Sequence, residues 1–387
     1  MKQIFARASW ILLVLLLTNC RDDQIVFEPE TETVSPPDST TLFPDSTREI
    51  LGFYLLNEGN MGSNKSTLDY FDFTTGEYRR NIYGSANPDV PKELGDVGND
   101  IKIYGNRLYA VINCSNKVEV MDKFTAKRIG QIDIPNCRYI QFHEGYAYVT
   151  SYAGPVQINP NYEQVGYVAK VDTASLEIID RCLVGFQPDE LEITDGKIYV
   201  ANSGGYMFPN YENTVSVIDI HSFTEIKRIE VTRNLHRIRA DNHGNLWVSS
   251  RGDYYEQPSR LYCIDRSTDQ LTDSIDMAVS QFYLDNDSLY IYSTEWSYIL
   301  MDNTVTYGIV DVTSKEIVTR NFITDDTAKQ IQIPYGLMVH PVTKDIFLTD
   351  AINYVSPGVL YCFDKYGKQK WQVRTGDIPA HFALVEK

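Results

Sequence analysis

The chain has 387 residues, 43% of them hydrophobic and 12% aromatic with 27 tyrosines, which excludes a wholly disordered, collagenous or coiled-coil polypeptide. Lys and Arg total 35 against 52 for Asp and Glu, a formal charge of −17 that argues against a nucleic-acid partner, because a phosphate backbone is bound through excess positive charge. At about 150 residues per domain the length predicts two or three domains unless a repeat merges them.

At the N-terminus, Lys2 and Arg7 precede an unbroken apolar run of eight residues, 10–17. A helix crossing a bilayer needs about 20, so residues 1–19 read as a signal peptide. The run ends in Leu17-Thr18-Asn19-Cys20, which resembles a bacterial lipobox and implies lipidation of Cys20, although Asn19 departs from the small residue usual before the cysteine. Arg21-Asp22-Asp23 is similar to the acidic signal that sends Bacteroidetes lipoproteins to the outer face of the outer membrane. Pro, Ser, Thr, Asp and Glu dominate residues 24–49, a composition that buries too little apolar area to offset ordering entropy. Residues 20–49 are therefore expected to be a flexible tether, and the rest a soluble body held at a membrane by lipid alone.

From residue 50 onward one pattern recurs. A strand ending in apolar-x-Asp appears at Asp72, Asp122, Asp172, Asp219, Asp265, Asp311 and Asp364, at intervals of 50, 50, 47, 46, 46 and 53 residues. Upstream of each lies an aromatic-centred strand, around Tyr54, Tyr109, Tyr148, Tyr199, Trp247, Tyr290 and Phe347. Each period reads as four short strands, for example 100–104, 107–112, 117–122 and 127–132, joined by turns rich in Gly, Asn and Asp. Helical periodicity is missing. Seven periods of four antiparallel strands predict an all-β, seven-bladed β-propeller over 50–387, one closed domain. The first period opens on the aromatic strand 52–57 without an inner strand before it, and the chain finishes with an orphan strand, 380–385. That orphan is expected to pair into the first blade and close the ring.

Connections on one face are tight, such as Tyr104-Gly105-Asn106 and Thr194-Asp195-Gly196. On the other face the links between second and third strands are long: 151–166, 203–213, 250–259, 293–304 and 350–358. Such loops on a rigid frame are where binding groups concentrate. They carry Tyr152, Tyr206, Tyr254, Trp296 and Tyr354, together with Tyr162, Tyr211 and Tyr255. The inner strands begin on this face and add Asp100, Arg138, Asp189, His236, Gln281, Tyr335 and His381 near the channel mouth. Asn113 and Arg251 complete the set taken from second-strand ends. Planar side chains with scattered neutral hydrogen-bonding groups suit a bulky, mostly uncharged ligand.

Catalytic signatures are missing: there is no Gly-x-Ser-x-Gly elbow, no His-Glu-x-x-His and no phosphate-binding loop, so no enzyme is expected. Sugar-lytic propellers that use Tyr, His and Arg leave Arg138, Arg251 and His236 as an enzymatic alternative. The five cysteines beyond Cys20 are odd in number and lack metal-type spacing, so neither a disulfide framework nor a metal site is expected. A bond between Cys114 and Cys137 stays open. Cys263 and Cys362 occupy matching strand positions and read as packing residues.

The first repeat carries Leu56-Asn57-Glu58-Gly59-Asn60-Met61-Gly62-Ser63-Asn64-Lys65-Ser66, followed by Leu68-Asp69-Tyr70-Phe71-Asp72. With the lipobox, the acidic tag and seven repeats, this resembles the YncE-like propellers of Bacteroides surface lipoproteins and, more narrowly, the BtuG-type cobalamin-binding lipoproteins. The resemblance implies capture of cobalamin or another corrinoid at the cell surface and delivery to a BtuB-like TonB-dependent transporter, with cobalamin as cargo and not as a cofactor. Glu58 and Asn60 join the candidate site because the motif ends a strand on the long-loop face. The alternatives are a glycan-binding or glycan-cleaving propeller and a surface-layer or assembly component.

Overall fold

The structure, a computed structural model, describes residues 29–34, 50–297 and 302–387. The predicted signal peptide, Cys20 and the acidic tag lie outside the described residues. Seven antiparallel sheets follow one another around a ring. Blade 2 is typical: Gly98–Tyr104, Arg107–Ile112, Lys117–Asp122 and Arg128–Asp133 run from the axis outward. The second and third strands of a blade are covered on both faces, so Arg107–Ile112 reads Leu-Tyr-Ala-Val-Ile after its first residue and is almost wholly buried. Outermost strands such as Gln270–Ile275 are nearly all exposed and polar. The core is therefore a set of inter-blade layers. One of them joins Tyr109, Val111, Val118 and Val120 to Ile140, Ala147 and Val149 of the next blade.

The recurrent aspartates cap turns between third and fourth strands. Asp122 Oδ1 accepts the backbone N–H groups of Phe124 at 3.1 Å and Thr125 at 3.0 Å. The same bonds recur at Asp72, Asp265 and Asp311, which explains the period without assigning these residues a function.

The ring closes as the sequence predicts. Strand Pro379–Glu386 pairs with Ile50–Asn57, aligning Phe53 with Leu384 and Leu55 with Phe382, and becomes the innermost strand of blade 1. Each inner strand then touches the next all the way round. One part of the expected tether departs from that expectation. Thr31–Thr33 adds a fifth, outermost strand to blade 1 by pairing with Glu77–Arg79, and buried Val34 joins the core cluster containing Phe53 and Phe71. The apolar side chain of Val34 and the free edge of Glu77–Arg79 overcome the polar composition around them.

Deleting residues 378–387 removes the inner strand of blade 1. Differential scanning calorimetry is expected to show a melting temperature lower by about 10 °C or more, or no cooperative transition at all. An unchanged melt overturns the closure model.

A candidate binding mouth

On the face where the inner strands begin, the ring opens into a cavity of about 930 Å³, within the range of small-molecule sites. Every blade contributes to its lining, from Glu58 and His381 in blade 1 to Tyr335 and Tyr354 in blade 7.

A repeated backbone device aims the inner-strand side chains. In blade 3, Cys137 pairs with Ser151 and Ile140 with Val149, so Arg138 and Tyr139 together face one residue, Thr150. The same two-against-one bulge holds Asp189 and Glu190 in blade 4, His236 and Arg237 in blade 5, and Tyr335 and Gly336 in blade 7. The backbone N–H freed by the irregularity is satisfied across the gap: Tyr139 N donates to Thr150 Oγ1, Arg237 N to Ser249 Oγ and Gly336 N to Thr349 Oγ1, at 2.7–3.0 Å. A bulge breaks the strict alternation of a strand and re-aims its side chains. Both residues of the Arg138-Tyr139 and His236-Arg237 pairs consequently line the mouth.

The long loops are anchored by another repeated element. Ser151 and Ser250 end their second strands and Ser203 directly follows one, and each hydroxyl donates to a carbonyl just before the inner strand of the same blade, at Pro135, Gln187 and Arg233. Each also accepts the N–H two residues on, at Ala153, Gly205 and Gly252. Gly252, at φ +67°, has no room for a Cβ, which would lie 2.0 Å from the carbonyl oxygen of Gln257. Beyond these anchors Tyr254 and Tyr354 adopt φ of 66° and 61°, a region that bulky side chains avoid, and both are exposed on the rim, Tyr254 at 62%. Strain of this kind persists where the frame over-determines the backbone and often marks function.

The two walls differ electrostatically. On the side of blades 3 to 5, Asp189 is fully buried; its Oδ1 accepts from Arg138 Nε at 3.2 Å and Tyr152 Oη at 2.7 Å, and its Oδ2 from Arg251 Nη1 at 2.8 Å. Burial alone raises the Asp189 pKa, but Arg251 and Arg138 outweigh it and hold the carboxyl below its usual range. Tyr139 Oη meets His236 Nε2 at 3.1 Å. Burial, with the charges of Arg251, Arg237 and Arg138, keeps that imidazole well below its ordinary pKa. Across the mouth, Glu58 accepts from Tyr335 Oη at 2.8 Å and lies 3.0 Å from His381 Nε2.

Of the residues expected from sequence, Glu58, Asn60, Asn113, Arg138, Tyr206, His236, Arg251, Tyr254, Gln281, Tyr335, Tyr354 and His381 line the mouth. Three do not. Tyr152 and Asp189 form the layer behind Arg138 and Arg251, because the carboxylate that balances two guanidinium groups sits beneath them. Asp100 is a clasp between blades, its Oδ2 accepting the N–H of Ile140 at 3.1 Å. Asn113, although at the surface of the mouth, spends its amide on the carbonyl of Cys137 at 2.8 Å. Trp296 lies on the long strand Ser288–Ser297, but its side chain falls outside the described residues. Tyr162 turns inward and is buried. Sequence reading passed over Tyr139, Arg237 and Glu295, which also line the site. Strict alternation turns Tyr139 and Arg237 away from the mouth, and only the bulges bring them in. Cys114 and Cys137 are free thiols.

Residues 51–374 match the family model described as a domain of unknown function, DUF5074. The chain belongs to the DUF5074 family. None of the curated proteins matches it. Among solved structures, this DUF5074 chain is similar to hydrazine synthase of Kuenenia stuttgartiensis, at 14% identity and a TM-score of 0.55 over 69% of this chain and 76% of the other. It is also similar to apo AztD from Citrobacter koseri, at 10% identity and a TM-score of 0.53 over 87% and 99% of the two chains. At these identities the likeness is one of fold.

Replacing Asp189 by Asn leaves two largely buried arginines without their counter-charge, a loss of ~3 kcal/mol at pH 7 that thermal melts register as a drop of several degrees. Because the folded pKa is depressed, this stabilisation exists above the unfolded value near 3.9 and disappears as pH falls through the folded one. The gap between wild type and Asp189→Asn should therefore narrow below about pH 4. Glu192, on the inner strand of blade 4, behaves oppositely. Burial pushes its pKa up to about 7, with Arg239 opposing and Glu190 reinforcing. The folded state holds this proton more tightly than the unfolded state, so stability falls as pH rises from about 4.3 towards 7. Glu192→Gln is expected to melt higher than wild type at pH 8 and equally at pH 4.

Proposed function

We propose that this protein is a surface lipoprotein that captures a corrinoid, cobalamin or a relative, in the mouth of the propeller and passes it to a TonB-dependent outer-membrane transporter, binding without catalysis. The observation that carries the reading is the build of the mouth: a cavity of about 930 Å³ rimmed by planar side chains that the backbone presents outward under strain. Tyr335 and Tyr354 pack edge to face with ring centroids 5.8 Å apart, and Phe208 lies 5.7 Å from Tyr255 across the rim. A corrin ring is broad, flat and fringed with amides, and aromatic faces with Asn, Gln and backbone groups suit it. The first-repeat motif supports the same ligand class through its resemblance to BtuG-type proteins, and the lipobox and acidic tag support the cell surface.

Mixing purified protein with cyanocobalamin and desalting is expected to yield a pink protein fraction. Colourless protein combined with retention on a polysaccharide matrix favours a glycan ligand instead. Replacing both Tyr254 and Tyr354 by Gly should weaken cyanocobalamin binding at least tenfold, about 1.4 kcal/mol, in calorimetric titration. The same change relieves two left-handed backbone positions, so the melting temperature should hold or rise. Falling affinity without falling stability distinguishes a binding role for these tyrosines from a packing role; unaltered affinity moves the site elsewhere.

A further inference from the structure

The arginines of the mouth are held from behind by shared, buried carboxylates. Asp189 alone balances both Arg138 and Arg251. Glu190 pairs with both Arg239, at 2.6 Å, and Arg237, at 3.5 Å, while also accepting the backbone N–H of Ile238, and Asp100 adds negative charge near both. Three of these four arginines, Arg138, Arg237 and Arg251, line the cavity on the side of blades 3 to 5, and Glu58, Glu256 and Glu295 line it as well.

Arg237 stands out among them. It is 7% exposed, its guanidinium lies 4.9 Å from the Tyr139 ring centroid, and its Nε donor has no hydrogen-bond partner. A buried guanidinium donor left unpaired is costly, and because Arg237 lines the cavity, a small turn of its guanidinium toward an acceptor placed there relieves that cost. Burial first, and then the charges of the same three arginines, push the His236 pKa down.

We propose that Arg138, Arg237 and Arg251 form a built subsite for a single phosphodiester anion of the ligand. Guanidinium forks match a two-oxygen anion, and in a partly dehydrated wall such contacts are strong. Glu58, held across the mouth by Tyr335 and His381, disfavours the same anion there, so the ligand is oriented with its phosphate toward blades 3 to 5 and its flat portion toward Tyr335 and Tyr354. The ligand's identity rests on the corrinoid reading above: a complete corrinoid carries one phosphodiester in the loop to its lower base, and cobinamide, with the same ring, lacks it.

Calorimetric titration with cyanocobalamin and dicyanocobinamide tests the subsite. Wild type is expected to prefer cyanocobalamin, and Arg237→Gln and Arg251→Gln are each expected to cost about tenfold in cyanocobalamin affinity while moving dicyanocobinamide less than about twofold. Arg251→Lys, which keeps the charge and loses the fork, should fall between. Equal losses for both ligands, or none for either, overturn the subsite. Should wild type bind neither corrinoid, the proposed function fails and the subsite is judged by dimethyl phosphate as a probe. A seated anion stabilises imidazolium, so NMR titration should show the His236 pKa rising with dimethyl phosphate in wild type and not in Arg251→Gln; no rise in wild type overturns the subsite.

Discussion

The pairing of the last strand with the first holds both the ring and its mouth. Pro379–Glu386 lies against Ile50–Asn57, and the chain just beyond that seam turns directly into the binding face: Glu58 N donates to the carbonyl of Ile378 at 2.8 Å and Gly59 N to that of Asp377 at 3.1 Å. The side-chain contacts continue the seam, since Glu58 meets Tyr335 and His381 across 277 and 323 residues of sequence. One wall of the mouth therefore exists only when the two ends of the chain have met. Loop-closure entropy over such separations is modest in its length dependence, so the seam costs little more than a shorter closure while it fixes groups from both termini.

A closed ring also tolerates what an isolated sheet does not. Bulges at Arg138-Tyr139, Asp189-Glu190, His236-Arg237 and Tyr335-Gly336 interrupt the ladder where each inner strand enters the channel, and Thr150, Ser249 and Thr349 repair the freed N–H groups. The adjoining layers hold these irregularities in place because both faces of each central strand are packed. The same rigidity sustains positive φ at Tyr254 and Tyr354. Register shifts also recur between third and fourth strands near the capped turns, as at Val120/Met121 and Cys263/Ile264, so the blades carry irregularities at both ends and only those on the inner strands shape the mouth.

How far the sequence revealed this depends on which feature repeats. The seven Asp positions and their aromatic partners recur at nearly constant spacing because each blade solves the same turn and packing problem, so blade number, strand count and closure were legible. The face of the mouth was legible from loop length. Tyr139 and Arg237 were not, because an alternating pattern assigns them to the opposite side and a bulge has no reliable signature in residue type. Tyr152 and Asp189 were placed one layer too far forward: position along the strand gives the correct end of the blade, while depth depends on Arg138 and Arg251 reaching over them from neighbouring blades. Thr31–Thr33 was hidden by its polar surroundings, since pairing to an edge needs backbone groups and only one buried apolar side chain, Val34.

The charge distribution connects these parts. The chain as a whole carries −17, yet one wall of its mouth gathers three arginines over the buried carboxylates Asp189 and Glu190, with His236 beside them. A negative envelope repels polyanions at long range, with a reach set by the Debye length of about 8 Å at physiological salt. Inside the cavity, low dielectric strengthens a short-range contact to one localised anion. On the proposed subsite, these two ranges would separate phosphate-rich polymers from a ligand of small net charge that carries a single phosphate. The arrangement requires the counter-charges Asp189 and Glu190 to sit behind the arginines and not between them and the solvent, and the bulge in blade 4 turns both residues into that position.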